Sequence, residues 1–99
     1  MNPSTENANG PDKDFIEHVV KLIVDKPEDV KVSRAVDEMG VLITLQVSKE
    51  DMGKIIGKNG QTAKSLRILL RVIGSKNNAR VNLRIVEPEG HEVAVESID

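Results

Sequence analysis

The sequence predicts an α+β domain of αββααβ order, with three helices packed on a three-stranded mixed sheet. Three observations carry that expectation. Apolar residues recur at helical spacing in some segments and at every second position in others. Glycine or proline punctuates most joins between those segments. The chain has 99 residues, 38% of them hydrophobic and 30% charged, which fits one small domain and leaves little room for a second.

Residues 1–13 are rich in Asn, Ser, Gly and Pro, show no apolar period, and read as a flexible N-terminal tail. The folded domain is expected over 14–87. Asp12 is expected to N-cap the first helix, which runs to about Val24. Phe15, Ile16, Val19, Leu22 and Ile23 form its apolar stripe, Asp14, Glu17, His18 and Lys21 share its polar face, and Pro27 ends it. Val30, Val32 and Val36 mark a first strand in which Arg34 breaks the alternation; Val41, Ile43, Leu45 and Val47 mark a second. Residues 37–40 suit a tight hairpin with Gly40 at positive φ, so these strands should pair antiparallel.

Ser48 and Asp51 have the spacing of a capping box with Asp in place of Glu or Gln, opening a short helix through Ile56. Gly57-Lys58-Asn59-Gly60 interrupts it. Ala63, Leu66, Leu69, Leu70 and Ile73 then form the stripe of a helix over 61–73, flanked by Lys64, Arg67 and Arg71 and stopped by Gly74. After a loop at 75–79, Val81, Leu83 and Ile85 alternate with Arg80, Asn82 and Arg84 in a last strand. A strand-helix-helix-strand crossover favours parallel pairing, hence the mixed sheet. Residues 88–99 read as an acidic, mobile C-terminal tail.

Composition narrows the chemistry. With one Phe and no Trp or Tyr, aromatic stacking platforms are missing; with no Cys, disulfides, thiolate-held metals and thiol catalysis are missing too. The net charge of -2 conceals a strong division. Residues 1–47 carry 5 Lys/Arg against 9 Asp/Glu, 48–84 carry 9 against 2, and 85–99 carry none against 5. A basic block thus sits inside an acidic average. The start lacks the basic and apolar regions of a signal peptide, and no apolar run is long enough for a membrane span, so a cytoplasmic protein without membrane association is expected.

The basic block contains Ile55-Ile56-Gly57-Lys58-Asn59-Gly60-Gln61-Thr62-Ala63-Lys64. Two glycines three apart join two helices, so the backbone turns tightly and no Cβ bars a phosphate; the next helix aims unpaired N–H groups and its positive dipole end at the same place. Lys58 and Asn59 project between them. A Walker A loop does not fit: Gly53 and Gly57 enclose three residues rather than four, and Lys58 is followed by Asn59. No nucleophile–base pair is visible, His18 and His91 have no ligand partner at metal spacing, and Asp51 beside Glu50 is explained by capping. Binding without catalysis, metal or cofactor is expected.

This stretch resembles the GxxG signature of a KH domain, and the element order is similar to the type II arrangement of bacterial KH proteins. With Asp51-Met52-Gly53-Lys54 before the turn and Ala63-Lys64-Ser65-Leu66-Arg67 after it, residues 48–85 resemble the small single-KH proteins of the KhpA family, a likeness extending over roughly 14–87. That resemblance implies binding of single-stranded RNA, as an RNA chaperone or post-transcriptional regulator. It also implies pairing with a second KH protein of the KhpB, Jag or EloR kind. The RNA-binding set is then Lys54, Ile55, Ile56, Gly57, Lys58, Asn59, Gly60, Gln61, Lys64, Arg67, Arg71 and Arg84. The blander alternatives are an ordinary helix-to-helix turn for the glycines and a solvated face for Lys64, Arg67 and Arg71. Of Ile55 and Ile56, one enters the core and the other floors a groove; spacing does not say which. Ile68 and Val72 fall opposite the main stripe of their helix, where they either pack on a neighbouring element or form a subunit interface, as a homodimer or with the second KH protein. The rival reading is an assembly subunit with weak or lost RNA binding.

Overall fold

In the computed structural model, which describes residues 10–88, the elements follow the expected order. Helix α1 spans Pro11–Ile23, strands β1 and β2 span Lys31–Asp37 and Gly40–Gln46, helices α2 and α3 span Met52–Ile56 and Gln61–Lys76, and β3 spans Val81–Val86. Short 3-10 turns at Pro27–Asp29, Lys49–Asp51 and Lys58–Gly60 join them. β1 pairs antiparallel with β2, and β2 pairs parallel with β3, so β2 is central and β3 is an edge. One face of the sheet contributes Val41, Ile43, Leu45, Val81, Leu83 and Ile85 to an aliphatic core completed by Ile16 and Val20 of α1, Met52 and Ile55 of α2, and Ala63, Leu66 and Leu70 of α3. Expectations for residues 1–9 and 89–99, including His91, lie outside the described residues. No helix among the described residues is long and apolar enough to cross a membrane.

Where the elements differ from expectation, long-range contacts are the cause. α1 begins at Pro11, with Gly10 rather than Asp12 at the cap, so residues 11–13, assigned to the tail by composition, are helical. Proline is preorganised for the first helical position. Asp12, only 4% exposed, accepts from Arg34 Nε at 2.9 Å and from the Lys13 N–H at 2.7 Å. The same bond accounts for Arg34 among the valines of β1: it points to the helix side of the strand, where Asp12 meets it. Within α1, Val20 is fully buried whereas Leu22 is 74% exposed. At 100° per residue, Leu22 lies about 120° round the helix from Ile16 and Val20 only about 40°.

Ser48 Oγ accepts from the Asp51 N–H at 3.2 Å, as a cap should, but Asp51 does not return the bond to the Ser48 backbone. Its carboxylate instead accepts from Ser48 Oγ at 3.0 Å and from the N–H groups of Asp25 and Lys26 at 3.1 and 2.9 Å. The box is half formed, and Asp51 ties α2 to the connection leaving α1. α3 continues through Gly74 to Lys76. Gly74 is buried rather than terminal because a Cβ there would lie 2.5 Å from the Ala79 carbonyl and 2.8 Å from Val81: the glycine permits close docking of the α3–β3 turn. The hairpin is tighter than four residues. Asp37 pairs with Gly40, leaving two residues at the tip, and Gly40 takes the expected positive φ of 121°.

Candidate nucleic-acid interface

The turn between α2 and α3 is built from backbone states that ordinary side chains avoid. Gly57 has φ 76° and ψ 178°, Asn59 φ 56° and ψ 28°, and Gly60 φ 74° and ψ 12°. The first of these is a region that essentially only glycine occupies, while the other two are left-handed helical, which Asn tolerates. A Cβ on Gly57 would also overlap Thr62 Oγ1 and lie 2.8 Å from Thr62 Cβ. Bonds from Gly57 N to Gly53 O at 2.8 Å and from Gly60 N to Gly57 O at 3.2 Å close the turn. Lys58 and Asn59 at its tip are exposed.

Behind the turn, the start of α3 has no side-chain cap and no acidic residue in its first turn. Helices ordinarily place a carboxylate or hydroxyl there to satisfy the free N–H groups and the dipole. Here those N–H groups are available to an external anion, and Lys58 and Lys64 take part in no ion pair among the described residues. The electrostatics of the turn are therefore uniformly favourable to a phosphate.

From the turn, the polar flank of α3 runs beside the free edge of β3. Lys64 is exposed, Arg67 is half-buried with Nη2 3.5 Å from the Leu83 carbonyl, and Arg71 follows one turn later. That contact shows that the outer edge of β3 faces the helix flank, so a shallow groove has cations on one side and unpaired strand backbone on the other. Ile55 is fully buried and Ile56 is half-buried at the core margin. Ile55 thus enters the core, and Ile56 is the one left near the turn.

Gly57, Lys58, Asn59, Gly60, Gln61, Lys64, Arg67 and Arg71 form one continuous surface, and two other expected residues stand apart from it. Lys54 Nζ lies 2.7 Å from Asp25 Oδ2 and 3.7 Å from Asp51 Oδ1. Its hydrogen bond to Asp25 holds the ammonium above its ordinary pKa, so its charge is engaged within the protein. Arg84 alternates with the buried Leu83 and Ile85 and therefore projects from the sheet face away from the helices. Burial pulls the Asp51 carboxyl upward, but the N–H groups of Asp25 and Lys26, the Ser48 hydroxyl and Lys54 outweigh it and hold it below its ordinary value.

On the outer side of α3, Ile68 and Val72 are 45% and 61% exposed, so neither packs on a neighbouring element. Leu69, expected in the core stripe, is 45% exposed and joins them. It lies about 100° from the centre of the buried face formed by Ala63, Leu66 and Leu70. Its apolarity suited either side of the boundary, which is why the spacing misassigned it.

The family model described as the KhpA/KhpB KH domain matches residues 13–85. A protein of Chlamydia pneumoniae named RNA-binding protein KhpA is 43% identical over 75 residues, covering 76% of this chain and 96% of that protein. Proteins of the same name from Listeria monocytogenes and Clostridium perfringens are 43% and 42% identical, over 76% and 75% of this chain and 99% of their own lengths. No solved structure matches significantly.

Proposed function

The chain belongs to the KhpA/KhpB family of KH-domain proteins, and from that premise we propose that it binds single-stranded RNA through the Gly57–Gly60 turn and the basic flank of α3. The observation that carries the reading is the uncapped, acid-free start of α3 behind a glycine turn, with Lys58 and Lys64 beside it. Phosphates rest on the turn and the helix N–H groups; splayed bases lie in the groove against Ile56 and the polar edge of β3. No aromatic residue is required. The relatives' name, RNA-binding protein KhpA, supports the same reading. In this reading the protein acts in the cytoplasm as an RNA chaperone or post-transcriptional regulator and catalyses no reaction.

The test is a filter-binding titration of single-stranded RNA with the Lys58→Asp/Asn59→Asp variant. Both side chains are exposed and the variant should fold as before, while two carboxylates stand where phosphates belong. Coulomb's law gives about 0.8 kcal/mol per unit charge at 5 Å in water, so the three-unit change costs about 2.5 kcal/mol, near seventyfold in affinity at low salt. A folded variant with unchanged affinity would contradict the assignment.

Ile68, Leu69 and Val72 support pairing through the outer face of α3, with a second copy or another KH protein, because together they leave an apolar strip on a small domain. Ile68→Glu/Val72→Glu places charges in that contact and should convert a dimer to monomer in sedimentation equilibrium. A wild type that stays monomeric at tens of micromolar removes the homodimer.

A further inference from the structure

Beyond Arg67, the groove opens into a cleft of about 510 Å³ at the first residues of β3, lined by Arg71, Ser75, Ala79, Arg80, Val81 and Asn82. Its chemistry is one-sided. No carboxylate lines it, and Arg80 takes part in no ion pair among the described residues. A helix C-terminus would normally contribute bare carbonyls and repel an anion. Here the last carbonyls of α3 are occupied: Ile73 O by the Asn77 side chain at 2.9 Å, Gly74 O by the N–H groups of Asn77 and Ala79 at 3.0 and 2.8 Å, and Ser75 O by the Asn78 N–H at 3.2 Å. What the cleft presents is two guanidinium groups, a hydroxyl and a carboxamide over a small apolar floor of Ala79 and Val81.

Its place in the fold matters as much. Lys64, Arg67, Arg71 and Ser75 succeed one another at three- and four-residue steps, so the cleft lies on the same flank of α3 as the basic groove. From Gln61 to Ser75 the helix rises about 21 Å, too far for the turn and the cleft to hold one phosphate. The site is also preorganised. Val41 N–H bonds Arg80 O at 2.7 Å and Ala79 N–H bonds Gly74 O at 2.8 Å, which pins the backbone between the hairpin and α3.

We propose that this cleft is a second nucleotide subsite, in which Arg71 and Arg80 hold a phosphate of the strand whose other end lies on the Gly57–Gly60 turn. The inference rests on the RNA-binding reading and extends it: the footprint exceeds the four nucleotides that a GxxG groove clamps. Ser75 and Asn82 meet the sugar or base edge of the added nucleotide.

Affinity is measured by fluorescence anisotropy for oligouridylates of four and eight nucleotides, with wild type, Arg80→Ala/Asn82→Ala and Lys58→Asp/Asn59→Asp. The wild type should bind the octamer about tenfold more tightly than the number of binding registers accounts for. Arg80→Ala/Asn82→Ala should lose that surplus and keep its tetramer affinity; Lys58→Asp/Asn59→Asp should weaken both. A surplus that survives in Arg80→Ala/Asn82→Ala, or an equal loss with the tetramer, overturns the subsite while leaving the turn's role intact. Wild type that binds neither oligomer removes the RNA-binding reading and the subsite with it. A measurement on the wild type alone guards against misfolding of the variant. Amide resonances of Ser75 and residues 79–82 should shift with the octamer and not with the tetramer, and no shift with either overturns the proposal.

Discussion

The two glycines of the turn are chemically identical and structurally unequal, and substituting each separately exposes the difference. Gly57→Ala forces a Cβ into backbone space that is nearly glycine-only, at a cost of about 1–3 kcal/mol. It also drives that Cβ into the Thr62 side chain, which adds about 1–3 kcal/mol of overpacking. The expected loss is therefore about 2–5 kcal/mol, a large share of the roughly 5–10 kcal/mol available to a domain of this size. Gly60→Asn places a residue that tolerates the left-handed helical region at φ 74° and ψ 12°, so its cost should stay below about 1 kcal/mol. With no Trp or Tyr to report unfolding by fluorescence, the assay is urea denaturation followed by far-ultraviolet circular dichroism. At a slope of about 1 kcal/mol per molar urea, Gly57→Ala should lower the midpoint by about 2 M or more and Gly60→Asn by less than about 1 M. Adding Thr62→Ala to Gly57→Ala removes Oγ1, the atom nearest the new Cβ, and should recover part of the loss non-additively. Equal midpoints for Gly57→Ala and Gly60→Asn would refute the conformational argument.

Three other outcomes follow from the same structure. A double-mutant cycle of Asp12→Ala and Arg34→Ala should give a coupling of about 1–3 kcal/mol in urea denaturation, because the pair is a charge-assisted bond with side chains only 5% and 15% exposed. The Asp51 carboxyl titrates below its ordinary value of 3.8 in the folded protein. Its stabilising effect is therefore present above that value and lost as pH falls through the lower folded pKa; Asp51→Asn should be less stable than wild type at neutral pH and lose less on acidification to about pH 3. If about four phosphates are neutralised, log affinity against log salt should slope at about -3 for a single strand, and Lys64→Ala or Arg67→Ala should make it shallower by less than about one unit. Salt-independent binding contradicts an interface dominated by phosphate contacts.

Most of the fold was legible because its elements are locally periodic and bounded by strong breakers. Val41, Ile43, Leu45 and Val47 could be little else than a half-buried strand, and the GxxG turn announces its backbone through its glycines. What escaped is non-local. Asp12 has the composition of a cap and the position of a partner for Arg34, twenty-two residues away. Lys54 was grouped with the site because it precedes the turn, yet the carboxylates of Asp25 and Asp51 that engage it depend on how α1 leaves the core. Val20 and Leu22 are equally apolar, so only the placement of α1 on the sheet separates buried from exposed. Arg84 was assigned by charge, and the pleat of β3 directs it to the other face. Charge and local period therefore located the site to within a segment, and tertiary contacts decided which cations belong to it.

The parallel pairing of β2 with β3 has a kinetic side. β1 and β2 close through two residues, whereas β2 and β3 meet only after the chain has traversed residues 47–80, the crossover that carries α2, the glycine turn and α3. Loop-closure entropy makes that 34-residue span about 2.5 kcal/mol harder to close than the hairpin. The hairpin should consequently form early, with β3 docking late. Because the groove has one wall on α3 and the other on β3, a chain that has not yet seated its last strand has no groove. RNA would then meet only finished molecules, and its stabilisation would appear as slower unfolding with little change in the folding rate.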